Sequence, residues 1–176
     1  MIFILTGPVH IGKTTLLERI VYELKKEKID IDGFLSKAVL ENQEVIGYDL
    51  CDKKKEESIP FIRKEGERDW QRIGPFFFIP QGLARAKEII FRGKENALLI
   101  VDEVGPLELG GKGLWPALKE VIFQPLKRSV LVVRANILGD FLALLGKSEV
   151  KVFDIKEEGI FSHILSGILR VSKFLL

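Results

Sequence analysis

Short apolar runs alternate along this chain with longer stretches of helical period, the signature of an α/β domain built on a mostly parallel sheet. Residues 2–6 form an apolar run closed by Gly7, which predicts a buried strand. Over residues 14–28, Leu16, Leu17, Ile20, Val21 and Leu24 fall on one helical face. Lys25-Lys26-Glu27-Lys28 finishes that helix as a solvated end favoured by the macrodipole. Residues 33–40 and 45–50 read as a β-hairpin, because Ile46, Tyr48 and Leu50 alternate with Gly47, Asp49 and Cys51. Residues 53–72 are the most polar part of the chain, a surface excursion or else a lid over a site. A strand at 76–79 and a helix at 81–92 follow. Residues 97–101 then make a fully buried strand with Asp102 and Glu103 at its carboxyl end. Leu114, Trp115, Leu118, Val121 and Ile122 share a helical face; residues 130–133 predict a strand, 137–145 a helix and 150–153 the last strand. Ile160, Phe161, Ile164, Leu165, Ile168 and Leu169 make an apolar stripe suited to packing on the sheet.

At 176 residues the chain has the length of one domain, residues 1–176. With 47% hydrophobic and 30% charged residues it can bury a core and still dissolve, which excludes a disordered tail, a collagenous repeat and a membrane bundle. A net charge of +2 is too balanced for a nucleic-acid footprint. The lone cysteine, Cys51, cannot form an intrachain disulfide and suits a reducing compartment. The opening apolar run, residues 1–5, is too short for the core of a signal peptide. Residues 160–176 carry His163, Arg170 and Lys173 and so do not read as a membrane span. The expectation is a soluble cytoplasmic protein with no membrane or nucleic-acid partner.

The strongest chemical signal is Gly7-Pro8-Val9-His10-Ile11-Gly12-Lys13-Thr14, a match to G-x-x-x-x-G-K-[ST], with Thr15 next in the chain. Backbone N–H groups of such a loop turn inward and form a nest of partial positive charge for phosphate oxygens. Gly7 and Gly12 allow torsions that a Cβ would penalise, and the following helix adds its dipole and unpaired N–H groups. Lys13 reaches for the terminal phosphates, and the Thr14 hydroxyl is a ligand for Mg²⁺. The match follows an apolar strand and opens an amphipathic helix, the context the motif requires. His10 stands where many such loops have glycine, and its side chain is expected to point away from the phosphates.

Asp102 and Glu103 supply the second half of a nucleotide site, since ligands of doubly wound sheets gather at the carboxyl ends of the strands. Asp102 is expected to hold Mg²⁺ through water, and Glu103 to orient or deprotonate the attacking water. Arg134 and Asn136 follow the 130–133 strand. Arg134 suits a salt bridge or a γ-phosphate contact, and Asn136 a phosphate sensor or a helix N-cap. His10 and His163 stand alone in the sequence, so zinc chemistry has no support.

With both motifs placed, the chain resembles the THEP-type nucleoside-triphosphatases, including the cancer-related nucleoside-triphosphatase branch, over nearly its full length. The selective strings are Asp32-Gly33-Phe34, Ile46-Gly47-Tyr48-Asp49, Arg72-Ile73-Gly74, Val150-Lys151-Val152-Phe153-Asp154 and the run from Val101-Asp102-Glu103 through Gly105-Pro106-Leu107-Glu108-Leu109. The resemblance implies a three-layer P-loop NTPase core of RecA-like or AAA-like type, with an inserted β-hairpin and the 130–133 strand between the two motif strands. It implies slow, Mg²⁺-dependent and weakly base-selective hydrolysis of ATP, GTP and other nucleoside triphosphates. It makes residues 7–14 and 98–105 the nucleotide-binding segments, so that Val101 and Gly105 join Asp102 and Glu103. Glu108 matches a family acid of no derivable role. Gln43-Glu44-Val45 departs from the basic residues common in relatives, and Pro106 replaces a lysine found in some. Two other functions compete: a nucleotide or small-molecule kinase on the same core, and a nucleotide-dependent binding module. Arg63, Arg68 and Arg72, interleaved with Glu65, Glu67 and Asp69, make a weak kinase lid.

Overall fold

The apolar runs become strands of one nine-stranded sheet, and the helical stripes pack on its two faces. The structure, a computed structural model, describes residues 1–93 and 97–173. In chain order the elements are β1 (Ile2–Gly7), α1 (Lys13–Lys26), β2 (Ile31–Glu41), β3 (Glu44–Asp52), β4 (Glu57–Arg63), β5 (Arg72–Ile73), β6 (Phe76–Phe78), α2 (Pro80–Arg92) and β7 (Leu98–Val104). There follow α3 (Pro106–Leu109), α4 (Trp115–Ile122), β8 (Ser129–Arg134), a 3-10 turn (Ala135–Ile137), α5 (Leu138–Leu145), β9 (Val150–Asp154) and α6 (Ile160–Lys173).

The strand order is β5-β6-β4-β3-β2-β7-β8-β1-β9. From β2 to β9 every neighbouring pair is parallel, and β8 lies between the motif strands β1 and β7, as the resemblance implies. From β2 outward through β3, β4, β6 and β5 every pair is antiparallel, so the expected mostly parallel sheet is parallel over one half only. Strand alternation divides the core into two layers. Phe3, Leu5, Ile100 and Val132 pack with α1 and α6, while Ile4, Leu99, Val101 and Leu131 pack with α2, α4 and α5. The stripe of α6 therefore lies on the sheet, with Ile164 and Ile168 buried. Among the described residues no helix is long and apolar enough to cross a membrane.

The predicted hairpin forms, β2 against β3, and is the root of a larger antiparallel wing; Asn42 and Gln43 turn it with φ of 47° and 67°, the left-handed pair of a two-residue I′ turn. Two expectations need correction. The polar stretch 53–72 is neither a bare excursion nor a lid, because β4 runs through it and buries Phe61 and Ile62. Pro60 argues against a strand, but it sits at a register shift between β3 and β4, where a bulge tolerates the missing donor. Finally, Asn136 is inside the 3-10 turn and gives α5 no side-chain cap.

Asp32-Gly33-Phe34 is explained by packing. A Cβ on Gly33, at φ +121°, would stand 2.0 Å from the Ile100 carbonyl oxygen, so only glycine lets β2 lie against β7 there. Phe34 fills the core. Asp32, fully buried, accepts from Arg92 Nη2 at 2.6 Å and Nε at 2.8 Å, and Arg92 also donates to Asp52 at 2.8 Å. This bridge ties α2 to the root of the wing, and the Arg92 guanidinium helps hold the Asp52 carboxyl below the usual carboxylate range against the effect of burial. Asp32→Ala leaves Arg92 with half its partners and is expected to destabilise the fold by about 3 kcal/mol, the low end for breaking a buried pair because Arg92 is partly exposed. Chemical denaturation of the two proteins checks this; a loss below about 1 kcal/mol, the scale of a surface pair, overturns it.

Candidate active site

β1 delivers the chain into the loop at Gly7 and α1 carries it away from Gly12, so two rigid elements fix the loop's ends. Gly7 has φ of +151°, and a Cβ there would meet Ile155 Cγ2 at 2.5 Å. Gly12 flanks α1 at φ 94°, with no side chain capping the first turn, so the helix N–H groups face the loop. His10 is exposed at the rim with φ of 59°, a left-handed backbone that explains why glycine is common at this position. Lys13 is only 5% exposed; its Nζ donates to the Pro8 carbonyl at 2.6 Å and the Gly7 carbonyl at 3.2 Å.

The acids come to the same place by a device the sequence does not display. Against β8, Val101 pairs with Leu131 and Val104 with Val133, so β7 carries one residue more than its partner across Asp102-Glu103. Pairing with β2 ends at Phe34–Val101. Both acids therefore sit in a bulge, a feature that re-aims side chains. Asp102 Oδ2 accepts from the Thr14 hydroxyl at 2.8 Å and from the Ser36 amide at 3.2 Å, and the Ser36 hydroxyl donates to the Asp102 carbonyl. Burial pushes the Asp102 carboxyl up to about 7, and the neighbouring Glu103 charge adds to the rise, while Thr14, Ser36 and Lys13 pull it down. A cation beside it would favour the ionised form. Glu103 lies between two cations: Arg134 Nε donates to its Oε1 at 2.5 Å, and Lys13 Nζ is 3.9 Å from its Oε2.

The geometry thus gathers Lys13, Thr14, Thr15, Asp102, Glu103 and Arg134 around one cavity of about 700 Å³. Arg134 forms a salt bridge, to Glu103. Val101 does not reach the cavity, being buried in the core. Gly105 lines the cavity, but its N–H is occupied by Glu108 Oε2 at 2.8 Å. The other Glu108 oxygen accepts from the Leu114 amide at 2.9 Å, so this buried acid staples the loop that forms one wall of the site. Gly105 and Glu108 stand at capping-box spacing, the one local signal for that role. Ser36 and Tyr48 also line the site and carry no such signal, because β2 and β3 reach it only through long-range pairing.

A phosphate loop between β1 and α1, facing an acidic bulge two strands away, defines the P-loop NTPase class. Residues 2–164 match the family model described as NTPase, and the chain belongs to that family, the THEP-type nucleoside-triphosphatases. Nucleoside-triphosphatase THEP1 of Saccharolobus solfataricus is 30% identical over 106 residues, a stretch that is 60% of this chain and 60% of that protein's length. The human cancer-related nucleoside-triphosphatase is 24% identical over 94% of this chain and 93% of its own. The crystal structure of THEP1 from Aquifex aeolicus superposes with a TM-score of 0.75 at 21% identity, over 94% of this chain and 98% of that one. The solution structure of the human protein gives 0.74 at 23% identity, over 96% and 95%. At these identities the structural likeness speaks for the fold.

Proposed function

We propose that residues 1–176 act as one cytoplasmic, Mg²⁺-dependent nucleoside-triphosphatase, cleaving ATP, GTP and other nucleoside triphosphates to the diphosphate and phosphate. The observation that carries this reading is the Thr14 hydroxyl bonded to Asp102 at 2.8 Å, with Glu103 next in the chain and held between Lys13 and Arg134. Thr14 Oγ1 and Asp102 Oδ2 are hard oxygen donors that suit Mg²⁺. Among the described residues no group of three His, Cys, Asp or Glu could cage an ion, which fits a cation that takes the rest of its shell from water and phosphate. When bound, the ion neutralises charge on the phosphate oxygens. The loop from Gly7 to Thr14, including Pro8, Val9, His10 and Ile11, wraps the phosphates with backbone N–H groups, and Thr15 extends that wall along α1. Lys13 pairs with the terminal phosphates, and Glu103 accepts the proton of the attacking water. Arg134 holds the Glu103 carboxylate in place.

Turnover by the chain alone is slow on this reading. A positioned arginine on the γ-phosphate is worth about 10³–10⁵ in rate, and Arg134 is engaged by Glu103. The motif contacts phosphate and metal, leaving little energy for reading the base; each tenfold preference needs about 1.4 kcal/mol of differential binding. Phosphate release is measured with ATP, GTP, CTP and UTP, with Mg²⁺ and with excess chelator. The expected result is release from all four within about tenfold of one another, abolished by chelator. A larger preference for one base, or release that persists in chelator, overturns it.

A further inference from the structure

Past the two carboxylates the cavity continues away from the phosphate loop into a chamber walled by the antiparallel wing. Sheet order sets the direction. The loop follows β1, the acids lie on β7 two strands over, and the wing begins at the strand beyond β2, each step being about 4.8 Å. A phosphate chain running from the loop toward Asp102 and Glu103 therefore aims its terminal phosphate at the wing. The chamber wall is Tyr48, Phe61, Ile62, Ile73, Phe76 and Phe78, and the rings of Tyr48 and Phe76 meet edge to face at 5.7 Å. Burial holds the Tyr48 phenol above its ordinary range, with the charges of Glu103 and Asp102 adding to the rise and Arg134 opposing it. The phosphate groups of a nucleotide use none of this apolar surface. Among the described lining residues, β3, β4, β5 and β6 contribute no charged side chain. A charged acceptor such as a nucleotide would call for arginines there. An apolar wall with a few polar groups at one end is the character of a small-molecule site.

We propose that this chamber binds an uncharged, flat aromatic alcohol as a second substrate, and that the γ-phosphoryl group passes to its hydroxyl, with water as the acceptor when the chamber holds no alcohol. This rests on the reading of the carboxylate pair as a phosphoryl-transfer site. The alcohol oxygen attacks the γ-phosphorus and forms the new P–O bond. The bond from that phosphorus to the β,γ-bridging oxygen breaks, its electron pair leaving with the nucleoside diphosphate. The hydroxyl proton goes to Glu103. The products are a phosphate monoester and the diphosphate.

The probe is 2-naphthylmethanol, titrated by its own fluorescence into the wild type, into Ile73→Trp, which fills the chamber, and into Phe76→Ala, which strips its wall. Thermal melts of all three show that the variants fold. Saturable binding to the wild type is expected, weakened at least about tenfold in both folded variants, since the ring contacts are the binding surface. With ATP and Mg²⁺ present, phosphorus NMR is expected to show naphthylmethyl phosphate forming at the expense of free phosphate. Absence of saturable binding overturns the site, and so does displacement of the probe by adenosine, which makes the chamber a base pocket. Saturable binding with free phosphate as the sole product overturns the transfer step. Saturable binding with no turnover of any nucleotide, with or without the alcohol, supports the site and overturns both the transfer step and the hydrolase reading.

Discussion

Glu103→Gln is expected to bind Mg²⁺·ATP with near wild-type affinity while hydrolysing it roughly 10²–10⁴-fold more slowly. Glutamine keeps the volume and still offers an oxygen to Arg134 Nε, so the local packing survives the change. It cannot accept the proton of the attacking water. An interaction made only in the transition state lowers the rate without weakening binding, so the loss falls on kcat and leaves affinity alone. Nucleotide titration beside single-turnover hydrolysis separates the two. Hydrolysis at the wild-type rate would make Glu103 a salt-bridge partner of Arg134 and nothing more.

Lys13→Ala is expected to fail in both respects. The ammonium lies over the loop, on the Gly7 and Pro8 carbonyls, and 3.9 Å from Glu103. Its removal leaves a phosphate charge without its partner and frees the loop from a bond that shapes it. A charge-assisted hydrogen bond contributes about 1.5–3 kcal/mol, so nucleotide affinity should fall about tenfold to hundredfold, with a rate loss on top. The same pair of measurements checks it, with the melting temperature recorded because Lys13 is buried. Retained affinity with lost rate would move Lys13 from binding to chemistry alone.

What the sequence made legible was local. β1, the loop and α1 are contiguous, so one stretch carries strand, turn and helix signals together. β7 and β8 were legible because strands covered on both faces read as unbroken apolar runs. β4 was not, because its proline is tolerated only at a bulge defined by β3, which no local pattern reveals. The resemblance puts Val101 among the nucleotide-binding residues, whereas alternation along β7 turns it into the core. Ser36 and the place of Tyr48 in the site are not legible because they depend on which strands pair; Glu108 stands out in its string at capping-box spacing, but its second bond, to the Leu114 amide, depends on how the loop folds back.

The bulge on β7 bears on how the molecule breathes. A strand with neighbours on both sides exchanges its amide hydrogens only when most of the fold opens. Val101 and Val104 have ladder partners, whereas Asp102 and Glu103 between them pair with neither flanking strand. The central strand is thus interrupted at the two residues proposed to carry the chemistry. Deuterium uptake should mark them as a fast gap in an otherwise slow element, a local looseness confined by rigid strand on either side.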